Sequence, residues 1–169
     1  ISPNLPSGLT LDASTGELSG TPSVVSSSAN YTVFATNDGG TGNTTITIEV
    51  IDIPPSSISY NPSFLTLTKD STMTAATPTS SGGTVVSWTI STTLPSGLVF
   101  DTSTGEISGT PTVVSSAVTY TVTAINSGGS ASGTVTILIN DAPPSSISYT
   151  PSSFTLTKDV SMSPVTPTA

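Results

Sequence analysis

The chain lacks cysteine, histidine and arginine altogether, and its only basic residues are Lys69 and Lys158. Without histidine or cysteine, its own side chains cannot form a Ser-His-Asp or Cys-His catalytic arrangement. Without cysteine, it forms no disulfide. Its formal net charge of -8 at pH 7 makes it unable to neutralise nucleic-acid phosphates or an anionic membrane surface. We therefore expect neither an enzyme nor a nucleic-acid partner.

Long apolar runs are missing too. No run approaches the roughly 18 apolar residues that a membrane span needs, so we expect no membrane insertion in this segment. Serine and threonine dominate, yet valine and isoleucine stay plentiful, which is typical of β-sheets with hydroxylated outer faces and not of disorder. Charge this low, with solubility supplied by hydroxyl groups, favours an extracellular location on a cell surface.

The sequence repeats with a period of 89 residues, the separation of Leu5 and Leu94. The register holds without a gap over residues 1–80 and 90–169, and about three in five aligned positions are identical. One supersecondary pattern recurring at a fixed period indicates a tandem array. Pro54-Pro55 and Pro143-Pro144 suit short stiff linkers between copies. We therefore assign 1–53 to the C-terminal part of a first repeat, 54–142 to a complete repeat, and 143–169 to the N-terminal strands of a following repeat.

Alternating apolar residues predict about seven short strands in the complete repeat, separated by turn residues. The predicted strands are 57–60, 64–68, 83–90, 98–100, 106–108, 119–126 and 133–139. Within 83–90, the parity places Val86, Trp88 and Ile90 on one face. The inward residues of the last two strands are Tyr120, Val122, Ala124, Val135, Ile137 and Ile139. With no helical period anywhere, the pattern predicts all-β, antiparallel sandwiches of the immunoglobulin-like or cadherin-like kind.

The two parts of one hairpin and a later strand carry a family resemblance. They read Leu94-Pro95-Ser96-Gly97-Leu98, then Asp101-Thr102-Ser103-Thr104-Gly105-Glu106-Ile107-Ser108-Gly109-Thr110-Pro111, then Tyr120-Thr121-Val122-Thr123-Ala124, and residues 5–40 repeat the pattern. They resemble the immunoglobulin-like repeats of prokaryotic surface proteins, which are related to dystroglycan-type cadherin-like domains. The resemblance covers both copies. It implies a spacer, stalk, adhesin or surface-layer segment, and it brings no catalytic site with it.

Calcium is the one cofactor that the resemblance raises, because cadherins bind it at domain junctions. The candidate ligands are Asp52 and Asp141 beside the linkers and Asp101 and Glu106 around one hairpin turn. Calcium takes six to eight oxygen ligands, usually from several carboxylates, and each junction supplies one aspartate. We therefore expect no metal site, and we interpret Asp101 as a turn-capping residue with Gly105 supplying the positive φ.

Five further residues could carry chemistry. Asn30 and Asn43 begin N-glycosylation sequons that have no counterpart in the second copy. Lys69 and Lys158 could form isopeptide crosslinks, although a lysine reaching solvent at a strand end is the more common case. Trp88 could stack on a sugar, but its parity with Ile90 favours the core.

Residues 1–53 lack the first strands of a repeat, and residues 143–169 hold them. One reading is a window on a long covalent array. The other is a head-to-tail fibre in which the tail of one chain donates strands to the head of the next. Both predict a structural or adhesive segment of an extracellular stalk, sheath or filament. The alternative is a carbohydrate- or protein-binding accessory module of a larger secreted protein, with surface glycans or proteins as partners.

Overall fold

The computed structural model describes residues 1–168, and these residues form twelve β-strands and no helix. The strands of the first copy are β1 (Leu9–Leu11), β2 (Leu18–Gly20), β3 (Ser26–Asn37) and β4 (Gly40–Val50). Those of the complete copy are β5 (Pro55–Tyr60), β6 (Phe64–Thr68), β7 (Pro78–Gly82), β8 (Ser87–Ile90), β9 (Leu98–Phe100), β10 (Ile107–Gly109), β11 (Ser115–Asn126) and β12 (Gly129–Asn140). Within these described residues, no helix could cross a membrane.

The complete copy is a two-layer sandwich. One layer is a four-stranded sheet in the order β6-β12-β11-β8. The other combines the β5–β7 pair with the β9–β10 hairpin, joined where Ala76 and Ile107 exchange two backbone hydrogen bonds of 2.9 Å. The gap between the predicted strands 57–60 and 64–68 is present at Asn61-Pro62, where the chain passes from β5 in one layer to β6 in the other. One pairing differs from the expected antiparallel pattern. β6 runs parallel to β12, because the chain changes layers at that break and then lies beside the last strand.

The core consists of residues that the alternation placed inward. Trp88 is 6% exposed, and the six predicted residues of β11 and β12 are buried: Tyr120, Val122, Ala124, Val135, Ile137 and Ile139. Ile58, Tyr60, Leu65, Leu98 and Ile107 complete the same cluster. Burying a large apolar side chain contributes roughly 1.5–3 kcal/mol, so this cluster is the main source of stability. The prediction that Trp88 lies in the core is confirmed.

The single strand predicted over 83–90 is wrong in its first half. Val86 is 69% exposed, and Val85 packs against the core in its place. The cause is a change of direction at Gly82, which has φ +81° and ends β7. The chain then crosses to the other layer and pairs with β11 only from Ser87 onward, so the period-2 parity does not extend back to Val86.

The β9–β10 hairpin explains two glycines of the repeated motif. A Cβ on Gly97 would lie 1.9 Å from the Thr110 carbonyl oxygen, and one on Gly109 would lie 2.2 Å from the Gly97 carbonyl oxygen. Gly8 and Gly20 show the same mutual approach in the first copy. The motif therefore requires glycine just before its first strand and at the end of its second strand, where the two backbones touch. The second strand begins at Ile107, one residue later than predicted.

Residues 143–168 do not form the strands expected there. They contain one isolated bridge, between Ser148 and Thr168, and Ile147 and Leu156 are exposed. That bridge joins the positions equivalent to Ser59 and Thr79, which pair between β5 and β7 in the complete copy. In the complete copy, β5 pairs with β7 and β6 pairs with β12.

The long hairpin is reproduced in both copies. β3 pairs with β4, and β11 with β12, through matching registers that end at Asn37↔Gly40 and Asn126↔Gly129. Each pair has an irregularity near its start, at Ser26/Ala29 in the first copy and at the equivalent position of the second. The hairpin turn therefore lies at the same end of each copy.

Candidate functional site

The Asp101 carboxylate closes the turn between β9 and β10. Its Oδ1 accepts hydrogen bonds from the Ser103 hydroxyl (2.6 Å), the Ser103 N–H (2.7 Å) and the Thr104 N–H (3.2 Å). These donors, the Ser103 hydroxyl first, lower the pKa of Asp101. Glu106 contributes to the turn through its backbone, where its carbonyl accepts from the Asp101 N–H at 2.9 Å. The arrangement holds a turn together and offers no general acid.

Asp12 forms the same turn in the first copy, and it gives a prediction. Hydrogen bonds from the Ser14 hydroxyl, the Ser14 N–H and the Thr15 N–H lower the pKa of Asp12 from 3.8 to about 2. Because the pKa is lower in the folded state, the stabilisation is complete above pH 3.8 and is lost as the pH falls through about 2. We expect an NMR titration to place the Asp12 carboxyl near pH 2, and Ser14→Ala to raise that midpoint. A midpoint close to 3.8 in the unaltered chain would contradict this.

The linker between the two copies is not a free tether. Asn126, only 8% exposed, donates from Nδ2 to the Ile53 carbonyl at 2.8 Å and to the Thr84 carbonyl at 3.1 Å. Its Oδ1 accepts from the Gly128 N–H at 2.9 Å. One amide side chain thus joins the linker, the residues before β8 and the β11–β12 turn.

A second set of contacts holds the preceding residue of the linker. The Ser127 hydroxyl donates to Asp52 Oδ2 at 2.8 Å, and the Asp52 N–H lies 3.1 Å from the same hydroxyl oxygen. A Cβ on Gly128 would lie 1.9 Å from the Asp52 carbonyl oxygen, and a Cβ on Gly83 would lie 1.9 Å from the Ile53 carbonyl oxygen. The two glycines form a slot that fits a bare backbone, so the linker is held by shape as well as by hydrogen bonds.

The four calcium candidates are not brought together as one site. Asp52 is engaged by Ser127, and Asp101 by its own turn. Asp141 is exposed and accepts from the adjacent Ala142 N–H at 3.1 Å. Among residues 1–168, no group of three or more acidic, histidine or cysteine side chains is placed to hold a metal ion.

The sequon and lysine candidates all lie at the surface. Asn30 is exposed on β3, where its Oδ1 accepts from the Thr47 hydroxyl at 2.8 Å, and Asn43 is exposed on β4. Lys69 has a side chain 35% exposed with its Nζ 3.4 Å from Asp70 Oδ2. Lys158 is 91% exposed with its Nζ 3.9 Å from Asp159 Oδ2. Both lysines therefore sit beside the next aspartate at a partly or fully exposed position.

The two-copy organisation and this junction can be compared with known families. The family described as "Putative Ig domain" matches the chain twice, over residues 1–51 and over residues 54–140. The chain belongs to this Ig domain family. The two matched ranges end and begin on either side of Asp52 and Ile53, the residues that dock on the β11–β12 turn. Families of this kind are typical of extracellular adhesion or structural domains and are typically non-enzymatic.

The Ig repeats are also similar to several multidomain proteins of known structure. The Drosophila OTK extracellular domains 3–5 match with 21% identity and a TM-score of 0.44, over 80% of this chain and 47% of that one. The protocadherin gamma B2 extracellular cadherin domains 1–5 match with 16% identity and a TM-score of 0.40, over 83% and 31%. The titin I-band fragment I67–I69 matches with 19% identity and a TM-score of 0.41, over 83% and 52%. The chain spans about a third to a half of these structures. No relative was found among curated proteins.

The junction is the feature that the sequence pattern does not reveal. The sequence pattern places a turn between the predicted strands 119–126 and 133–139 and places Asp52 beside a linker, but it does not connect the two. A signal was available, because Asn-x-Gly-Gly occurs at Asn37 and Asn126 and Asp-x-Pro-Pro occurs at Asp52 and Asp141. An asparagine that recurs before two glycines, together with a recurring Asp-x-Pro-Pro segment, favours a backbone segment bound across the turn.

Proposed function

We propose that this chain is a structural and adhesive repeat segment of an extracellular prokaryotic surface protein, serving in a stalk, sheath or filament. The observation that carries the proposal is the docked linker. Asn126 and Ser127 fix residues 52 and 53 by hydrogen bonds, and Gly83 and Gly128 admit the linker backbone. A linker held in this way sets the orientation of one Ig repeat on the next and transmits force along the array.

The copies are connected in this proposal by tandem covalent linkage, and head-to-tail strand donation is the second route. The match of two consecutive ranges to one family model supports the first route. The exposed apolar residues of the 143–168 segment, among them Ile147 and Leu156, support the second. The junction mechanics do not depend on which route operates, because the docked linker lies within this chain.

The proposal is tested by measuring the distance between the copies. The chain has no cysteine, so Thr45→Cys and Thr134→Cys, equivalent exposed positions on β4 and β12, can carry one nitroxide label each. We expect a single narrow distance distribution by pulsed electron paramagnetic resonance. A broad distribution would show freely tethered repeats and would overturn the proposal.

Calcium independence is a separate prediction. Because Asp52 and Asp101 are engaged by hydroxyl donors, we expect the unfolding temperature to be the same with calcium and with a chelator. Calorimetry in the two buffers checks this. A chelator-induced decrease would point back to the Asp52, Asp101, Glu106 and Asp141 set as ligands.

A cleft of about 490 Å³ beside β6 favours the alternative function, a binding module for surface glycans or proteins. Its lining includes Phe64, which is 50% exposed, together with Thr66 and Met73. An exposed aromatic ring next to hydroxyl groups is the chemistry that binds sugars. Specific binding on a glycan array that Phe64→Ala removes would support this alternative, and an array with no specific binding would count against its carbohydrate form.

A further inference from the structure

We propose that Asn43 carries an N-linked glycan whose first sugar packs on the ring of Phe34. The proposal rests on the proposed extracellular function, because glycans of this kind are attached on the outer side of the membrane. Asn43-Thr44-Thr45 is a complete acceptor sequence near the start of β4. The chain has one other acceptor sequence, Asn30-Tyr31-Thr32 on β3, and the structure distinguishes the two.

The Asn43 side chain is accessible and unengaged. It is exposed on β4, and its amide has no hydrogen-bond partner within residues 1–168. Its equivalent in the complete copy, Ser132, shares a hydrogen bond of 2.8 Å with Thr123. Ser132 is exposed as well, and β6 pairs with β12 only from Thr136 onward. A complete repeat therefore leaves this strand position open to a bulky attached group.

Phe34 lies directly across the hairpin from Asn43. The two residues are partners in the β3–β4 register, and Phe34 is 50% exposed. Directly opposite residues share a face and have Cβ atoms about 4.5–5.5 Å apart. The 2.8 Å contact between Thr123 and Ser132 shows that side chains meet at these positions. A sugar on Asn43 therefore reaches the ring, and the C–H groups on one face of a pyranose pack against an aromatic face.

The acceptor sequence at Asn30 lacks these features. Asn30 Oδ1 already accepts from the Thr47 hydroxyl at 2.8 Å, and Thr47 is also the residue opposite it in the register. The hydroxyl residue of this sequence, Thr32, is half-buried, and its backbone exchanges hydrogen bonds of 2.9 and 2.8 Å with Ser2. Thr45, the hydroxyl residue that follows Asn43, is exposed. Attachment is therefore expected at Asn43 in preference to Asn30.

The attachment is a glycosyl transfer from a lipid-linked oligosaccharide, carried out by a separate membrane transferase. Asn43 Nδ2 forms a bond to the anomeric carbon of the first sugar. The bond from that carbon to the phosphate oxygen of the lipid carrier breaks, and the electron pair leaves with the phosphate. The amide gives up one proton. The product is a bulky polar group on the outer face of the β3–β4 hairpin, where it covers an exposed aromatic ring.

The first test is peptide mapping by mass spectrometry of the protein isolated from its source organism. We expect a glycan on the peptide that contains Asn43 and an unmodified Asn30. An unmodified Asn43, or a glycan on Asn30 in preference to Asn43, would overturn the proposal.

The second test examines the ring. The full chain is secreted from a host with an N-glycosylation pathway and is compared with the same chain from a host without one. We expect the Phe34 and Asn43 amides to exchange hydrogen about fivefold more slowly in the glycosylated chain, which corresponds to about 1 kcal/mol of added apolar contact. Phe34→Thr, which introduces the residue type of the complete copy, should remove this slowing.

Ser132→Asn is the matched control. It creates an acceptor sequence with Thr134 at the equivalent position of the complete copy, where Thr123 stands in place of the ring. A glycan attached there should leave the local amide exchange unchanged, and adding Thr123→Phe should slow it. Equal slowing with and without the ring would overturn the packing on Phe34. The proposed function fails separately, because the distance between labels at 45 and 134 is measured on the unglycosylated chain.

Discussion

Gly105→Ala is expected to lower the unfolding temperature of the complete repeat by more than ten degrees. Gly105 has φ +75°, and an alanine Cβ would lie 2.7 Å from Pro78 Cγ and 2.8 Å from Trp88 Cδ2. The left-handed backbone costs about 1–2 kcal/mol, and overpacking against two core side chains costs about 1–3 kcal/mol more. A domain of this size loses about 4–8 degrees per kcal/mol. Trp88 is the only tryptophan, so its fluorescence reports the unfolding of this repeat.

Gly16→Ala is the matched control. Gly16 is the equivalent residue of the first copy, with φ +78°, but its Cβ position has nothing within 4 Å. This variant carries the backbone strain without the collision, and it lies outside the repeat that Trp88 reports. We expect the Trp88 transition to keep its midpoint. If both variants shifted that midpoint equally, the contact between the β9–β10 turn and the core would not be the cause.

The burial of residues that follow a local alternating pattern could be predicted from the sequence. Tyr120, Val122 and Ala124 alternate along one strand, and such a strand can bury only one face, so their burial follows from spacing alone. Trp88 and Ile90 fit the same rule because β8 is continuous from Ser87. The hairpin turn was also predictable, because Asp101 and Gly105 are residues that turns require.

Features that depend on a second backbone were not predictable in the same way. Val86 differs from Trp88 only in lying before the strand begins, and that boundary is set by Gly82 and by the pairing with β11. Gly105 reads as a turn residue from the sequence, but it also lies against Trp88.

The candidate site could not be predicted from local sequence patterns, for a similar reason. Asn126 and Ile53 are 73 residues apart and touch only because β11 and β12 return their turn to the start of the repeat. In the linker, the two prolines and the aspartate predicted a stiff boundary between repeats. The turn that binds the linker, at residues 126–129, could be predicted only as a turn, because a glycine that admits a distant backbone has the same sequence signal as one that closes a hairpin.

Gly128→Ala is expected to release the linker while leaving the repeats folded. Gly128 does not have a positive φ, so alanine adds no backbone strain there, but its Cβ would lie 1.9 Å from the Asp52 carbonyl oxygen and 2.9 Å from Pro54 N. The linker must move away, which breaks the hydrogen bonds from Asn126 to Ile53 and between Ser127 and Asp52. Losing these bonds corresponds to about 2 kcal/mol, so the Asp52 amide should exchange hydrogen about 30-fold faster.

The distance distribution between nitroxides at positions 45 and 134 should broaden in Gly128→Ala, and the Trp88 unfolding midpoint should change little, since the collision lies at the junction and not in the core. Gly39→Ala provides the comparison, because Gly39 is the same turn residue in the first copy with no linker against it. That variant should keep the narrow distribution and the slow Asp52 exchange. A narrow distribution in Gly128→Ala would mean that the linker is held by the stiffness of Pro54-Pro55 and not by the slot, and the role of the β11–β12 turn as the fixed point between repeats would have to be abandoned.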